Sequence, residues 1–238
     1  MYIFKKIIDY FNPHKDCYSW FKWLALNKSV ISDNQDCFVL DAGCGTGYGS
    51  ALRQFRNCRR VGCDIDQNCI NHTYLDYWIA CSVEDLSIKK ESFQFITCNW
   101  VLEHVSNPQK MLKEINRVLK SGGKFIFRTP NIYNYAIFLS SRTPTIFHHW
   151  VRKLNASSDQ EHIENVPTLY KINTRRKVRK LLMKTGFDIE DLHYESGACE
   201  YLRFFLPFFF IGRIGELITN VFFLRWLKKD IVCVAKKL

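Results

Sequence analysis

An acidic residue leads into a run of closely spaced glycines in this sequence, and a second acid follows at a telling distance. The run is Asp41-Ala42-Gly43-Cys44-Gly45-Thr46-Gly47-Tyr48-Gly49. Glycine lets the main chain take positive φ and lets a ligand approach it closely. Residues 50–53 read as the start of a helix, whose free N–H groups and dipole favour an anion. The pattern suits a nucleoside-like ligand with a negative group. Asp64 lies about 20 residues past the glycines, the spacing at which an acid meets a ribose in a βαβ unit. A carboxylate can accept two hydrogen bonds, which matches a vicinal diol. A dinucleotide loop, G-x-G-x-x-G, needs a glycine where Tyr48 stands, and no G-x-x-x-x-G-K-[ST] phosphate loop is present. His104, His149 and His162 are the candidates for moving a proton near neutral pH.

The elements that must position these residues can be read from the apolar pattern. Residues 38–40 form a short apolar run that reads as a buried strand ending at Asp41. Residues 60–66 read as a second strand ending in acid, with Asp66 as the N-cap of the next helix. Residues 79–86 give a third strand and its exit loop, and 92–105 a fourth. Residues 108–119 are expected to be a helix, with Pro108 in its first turn and Ser121-Gly122-Gly123 ending it. Residues 124–131 form the fifth strand. This strand–helix alternation argues for a parallel sheet, and ligands of such sheets bind at the carboxyl ends of the strands. Residues 174–184 read as a basic helix closed by Gly186, and 187–194 and 231–237 as the sixth and seventh strands. Residues 1–30 hold two aromatic helical patches, and 132–170 read as loop and short helices on the substrate side.

The acid-x-Gly-x-Gly-x-Gly run is followed in order by Asp64, by Val83-Glu84-Asp85-Leu86 and by Val101-Leu102-Glu103-His104-Val105. This succession resembles the class I S-adenosylmethionine-dependent methyltransferases, closely over residues 38–130 and loosely over 160–195. The part after Asn131 resembles the small-molecule enzymes of the ubiquinone-biosynthesis type. The resemblance implies an α/β, three-layer Rossmann-like sandwich. Its seven-stranded sheet is mostly parallel, with the last strand antiparallel. It also implies S-adenosyl-L-methionine as cofactor, held by Asp41, Gly43, Cys44, Gly45, Gly47, Asp64, Ile65, Ser82, Val83, Glu84 and Asn99. Ser82 stands where the family commonly has an acid for the adenine amino group, which shifts adenine recognition toward the backbone near Val83 and toward Glu84. Gln94 replaces a usual aspartate. The chain reads as a single domain over 1–238: a helical cap at 1–35, a cofactor-binding core at 36–131, and a substrate-side region at 132–238. The apolar insertion 201–228 precedes the last strand.

Composition narrows the partners. At 238 residues, 47% hydrophobic and 24% charged, the chain can bury a sizeable core. Ten cysteines without a C-x-x-C pair read as small buried hydrophobes in a reducing, cytoplasmic compartment, with no metal site expected. A net charge of +11 points to an anionic partner or surface. The insertion is too interrupted by Arg203, Pro207, Arg213, Glu216 and Arg225 to span a membrane. It reads as a lid, as an interfacial anchor that makes the protein peripheral at an anionic membrane, or as core and interface packing. The exocyclic-amine methylase motif after the fourth strand is missing, since Asn99-Trp100-Val101 stands there. Three functions therefore stand side by side. One is O-methylation, by in-line displacement, of a small hydrophobic or lipid- or sugar-linked acceptor. The others are RNA methylation guided by the basic helix 174–184 and a non-catalytic cofactor-binding role at a membrane.

Overall fold

The computed structural model describes residues 37–45, 57–67, 74–140, 167–196 and 206–238, together with Leu52 and Phe55. The expected cap at 1–35, Gly47, His149 and His162 lie outside the described residues, as does the helix after the glycine turn. The described elements are β1 (Phe38–Ala42), β2 (Arg59–Asp64), β3 (Tyr77–Ala80), β4 (Phe93–Asn99), α1 (Pro108–Val118), β5 (Leu119–Pro130), α2 (Tyr135–Ser140), α3 (Arg175–Lys184), β6 (Phe187–Glu195), α4 (Leu206–Thr219) and β7 (Asp230–Lys237). A 3-10 helix, Phe222–Leu227, links α4 to β7.

One seven-stranded sheet runs β3-β2-β1-β4-β5-β7-β6. The pairs among β1 to β5 are parallel. β7 lies antiparallel between β5 and β6, as the sequence reading expects of the last strand. Side chains alternate across a strand, and the core follows that alternation. Leu40, Ala42, Ile96, Cys98, Phe125, Phe127 and Cys233 pack on one face with α1 and α3. Val39, Phe95, Ile126, Val232 and Val234 pack on the other with Leu52 and Phe55. The seven described cysteines are free thiols, and all but Cys81 are buried.

Local chemistry sets the helix ends. Asn107 caps α1, its side chain accepting from the Lys110 N–H at 3.0 Å, and Pro108 occupies the first turn where no N–H partner is needed. Met111, Leu112, Ile115 and Val118 then recur at helical spacing and are fully buried. Thr174 caps α3 in the same way through the Lys177 N–H.

The expectation that Ser121-Gly122-Gly123 ends a helix is corrected. The helix stops at Val118, and the glycines sit inside β5 as a bulge. Phe93 pairs with Leu119 but Phe95 with Lys124, so extra residues loop out of β5. Gly122 takes φ 72° there, and a Cβ on Gly123 would lie 2.8 Å from the Lys120 carbonyl oxygen. Glycine is required by the bulge, not by a helix end.

Candidate active site

The carboxyl ends of β1, β2 and β4 bring the sequence-identified residues together. Gly43 and Gly45 both take positive φ, 75° and 49°. The Gly43 and Cys44 N–H groups donate to the Cys63 carbonyl at 2.8 and 3.1 Å, which pins the turn to the end of β2. A Cβ on Gly43 would drive into the Val101 side chain, whereas one on Gly45 would meet nothing within 4 Å among the described residues. Gly45 therefore fronts open space, and its N–H donates to Asp64 Oδ2 at 2.8 Å.

Asp64 has a double task. Its Oδ1 accepts from the Asp66 N–H at 3.0 Å, so each oxygen holds one loop and keeps a lone pair for a further donor. Asp41 is buried and takes a 2.9 Å hydrogen bond from the Thr97 hydroxyl, tying β1 to β4. Ile65 is exposed beside this edge. At the end of β4, Asn99 Oδ1 is buried without a hydrogen-bond partner. A buried orphan acceptor is costly and calls for a donor. An adenosyl amino acid brings a diol and an ammonium group, so these residues fit such a cofactor.

The loop after β3 differs from its expected use. Ser82 Oγ accepts from the Glu84 N–H at 3.1 Å, closing a small turn around Val83. The Glu84 carboxylate is engaged at the start of α1. It accepts from the Ser106 N–H at 2.6 Å, the Ser106 hydroxyl at 3.0 Å and the Asn107 N–H at 3.0 Å. These bonds outweigh its burial and hold its pKa below the usual carboxylate range. Glu84 thus braces the start of α1.

Beyond β4 sit two neighbouring titratable residues, Glu103 and His104. Glu103 is buried, and burial pushes its pKa up to about 8. The Thr129 hydroxyl donates to its Oε2 at 3.2 Å. His104 Nδ1 lies 3.0 Å from the Pro167 carbonyl oxygen, which can only accept, so that nitrogen carries the proton. His104 Nε2 is then the basic atom, 3.9 Å from Glu103 Oε1.

A buried ionic cluster supports this edge, and the sequence reading missed it. Arg128 donates to Asp230 Oδ2 through Nε at 2.9 Å and Nη2 at 2.5 Å, and Glu195 lies 3.6 Å from Arg128. Lys229 Nζ lies 3.9 Å from Asp230. Trp100, held at φ 56°, covers the cluster, with the Arg128 guanidinium 5.0 Å and the Lys229 ammonium 4.8 Å from its ring centre. The only sequence signal is an arginine inside the apolar run 125–129. A separate groove of about 740 Å3 lies by Phe38, Phe93 and Lys120, away from the glycine turn, at the amino ends of β1 and β4. Among the described residues, no group of three His, Cys, Asp or Glu could hold a metal ion.

Residues 40–127 match a family described as a methyltransferase domain. The chain is 36% identical over 101 residues to a ubiquinone biosynthesis O-methyltransferase of Coxiella burnetii, covering 39% of this chain and 43% of that protein. It is 34% identical over 95 residues to a malonyl-[acyl-carrier protein] O-methyltransferase of Herminiimonas arsenicoxydans, covering 38% of this chain and 36% of that one. The chain thus spans less than half the length of these relatives. The fold is similar to that of a geranyl diphosphate C-methyltransferase of Streptomyces coelicolor A3(2), with TM-score 0.58 and 13% identity. That match covers 90% of this chain and 80% of the other.

Proposed function

We propose, from the premise that this chain carries a class I S-adenosylmethionine-dependent methyltransferase domain, that it methylates an oxygen of a small hydrophobic or lipid- or sugar-linked acceptor. The observation that carries the cofactor half is the open Gly45 turn hydrogen-bonded to Asp64. The acceptor half draws support from the named relatives, which are O-methyltransferases. The work site we assign is a reducing cytoplasmic compartment.

The cofactor supplies a methyl group on a positively charged sulfur. The chain's task is to hold donor and acceptor in line and to take the acceptor's proton. Asp64 would hold the ribose hydroxyls with its remaining lone pairs. Asn99 Oδ1 would accept from the ammonium group, and the Ser82–Val83 turn would border the base. His104 receives the hydroxyl proton, and Glu103, protonated near neutral pH, lies 3.9 Å from its Nε2.

RNA methylation is the second reading, favoured by one observation. Arg175, Arg176, Lys177, Arg179, Lys180 and Lys184 all lie exposed on α3. The deciding experiment incubates the full chain with methyl-labelled cofactor and separate lipid, saccharide and RNA extracts. Label in the lipid or saccharide fraction, released as methyl ether or ester, is expected. Label confined to RNA would overturn the small-molecule reading in favour of the second.

A further inference from the structure

The connection from β3 to β4 lacks the element such connections usually carry. Parallel strands of one sheet are joined by crossovers, most often helices packed on a sheet face. Residues 81–92 run from β3 to β4 without a helix. On the same face α1 packs over β5 and α3 over β6. The part of the face formed by β1, β2 and β3 is left with the groove of about 740 Å3.

The register shows why its floor is apolar. Val61 stands opposite both Leu40 and Tyr77, and Phe38 and Ile79 lie two steps along their strands from those partners, on the same face. Phe38, Ile79 and Ile88 are partly buried and pack against the main core, so the groove exposes an unfinished margin of that core. Phe93 closes one end, and Tyr77, 50% exposed, stands at the other on the edge strand. The loop that walls the groove is held in place. Arg117 donates to the Leu86 and Ile88 carbonyls at 2.7 Å each. The Glu91 and Ser92 N–H groups donate to the Arg117 and Val118 carbonyls at 2.9 and 2.8 Å. The Ser92 hydroxyl donates to the Lys89 carbonyl at 2.7 Å.

Charge and shape select the occupant. Lys89 and Lys90, both exposed, and the partly buried Lys120 line the groove. Among the described residues, none of these three makes an ion pair. Glu91, the acid in the lining, lies 3.6 Å from Lys237. The lining is therefore cationic beside an apolar floor. A concave site of this size falls in the range of small-ligand pockets, roughly 300–1,000 Å3. A bare anion would leave the floor wet, and a neutral apolar molecule would leave the lysines without a counter-charge. A small molecule with an apolar body and one acid group answers both. The groove lies at the amino ends of β1 and β4, whereas the glycine turn lies at the carboxyl ends, so the two sites are separate.

We propose that this groove is a second binding site, which takes a small anion with an apolar chain or ring, its body on Phe38, Tyr77 and Ile79 and its acid group at Lys89, Lys90 and Lys120. This goes beyond the methyl-transfer reading and stands without it.

The test is isothermal titration of decanoate into the full chain, beside neutral decanamide and beside acetate, which has the acid group alone. Decanoate is expected to bind saturably and more tightly than either. Lys89→Glu with Lys90→Glu is expected to weaken decanoate by about tenfold or more, while S-adenosylhomocysteine affinity stays unchanged. Tyr77→Ser should weaken decanoate and decanamide alike. Circular dichroism reports whether each variant is folded, and Lys89→Gln with Lys90→Gln replaces the reversed pair if that one is not. No saturable decanoate binding by the folded wild-type chain would overturn the proposal. So would equal affinity in the lysine variant, decanamide binding as tightly as decanoate, or displacement of decanoate by S-adenosylhomocysteine. Displacement by oligouridylate would overturn it in favour of a nucleic-acid groove. S-adenosylhomocysteine binding retained in the same samples would leave the methyl-transfer reading standing.

Discussion

At the scale of single residues, Asp64 joins structure to chemistry. It fastens the glycine turn through the Gly45 N–H and still has acceptor capacity toward the open side. Asp64→Ala is expected to weaken S-adenosylhomocysteine binding by about 1–3 kcal/mol, because it removes a partly buried acceptor and loosens the turn. Gly43→Ala should weaken binding through another route, since φ 75° and the Val101 side chain both exclude a Cβ. Its effect should appear in thermal stability as well as in titration calorimetry. Glu103 gives a pH signature. Its pKa rises from 4.5 to about 8 on folding, so the folded state holds a proton that the unfolded state releases. Stability then falls as pH rises through that window. Glu103→Gln keeps the shape without the ionisation. It should raise stability by about 2 kcal/mol at pH 8, with the gain fading toward pH 4.5, as read by urea unfolding at several pH values.

At the scale of elements, β5 and β7 hold the edge of the site through Arg128 and Asp230. Their side chains are 4% and 0% exposed, so removing one partner leaves the other charge stranded. Asp230→Ala should cost about 3–5 kcal/mol in unfolding free energy, far more than an exposed pair would. A smaller, local loss of about 1 kcal/mol is expected for Asn107→Ala, which removes the cap of α1. What the sequence reveals of these elements divides by range. β1, β2 and β4 are apolar runs ending in polar residues at the cofactor edge, and Asn107-Pro108 and Thr174 announce helix starts; each signal is local. The Gly122-Gly123 pair misleads, because whether it ends a helix or fills a bulge depends on where β4 pairs with β5. The bonds of Glu84 are not legible locally either. Its partners, Ser106 and Asn107, lie more than twenty positions on, and nothing near Glu84 points to them. The Arg128–Asp230 pair spans 102 positions and leaves no local pattern.

At the scale of the whole molecule, one edge of the sheet gathers the glycine turn, the Glu103–His104 pair and the covered ionic cluster. The family resemblance makes that edge legible as a cofactor site, since its motifs fall at strand ends in chain order. The way α4 faces is not legible in the same way. A segment mixing phenylalanine and isoleucine with Arg213 and Glu216 does not announce that the charges turn inward. The central claim is that this edge grips an adenosyl cofactor through the Gly45 turn and Asp64. Isothermal titration of S-adenosylhomocysteine into the full chain tests it most directly, with Asp64→Ala measured beside it and both checked by circular dichroism. Saturable single-site binding, weakened by about five- to 150-fold in the variant, is the expected result. No binding by the folded wild-type chain, or equal affinity in the two proteins, would contradict the account.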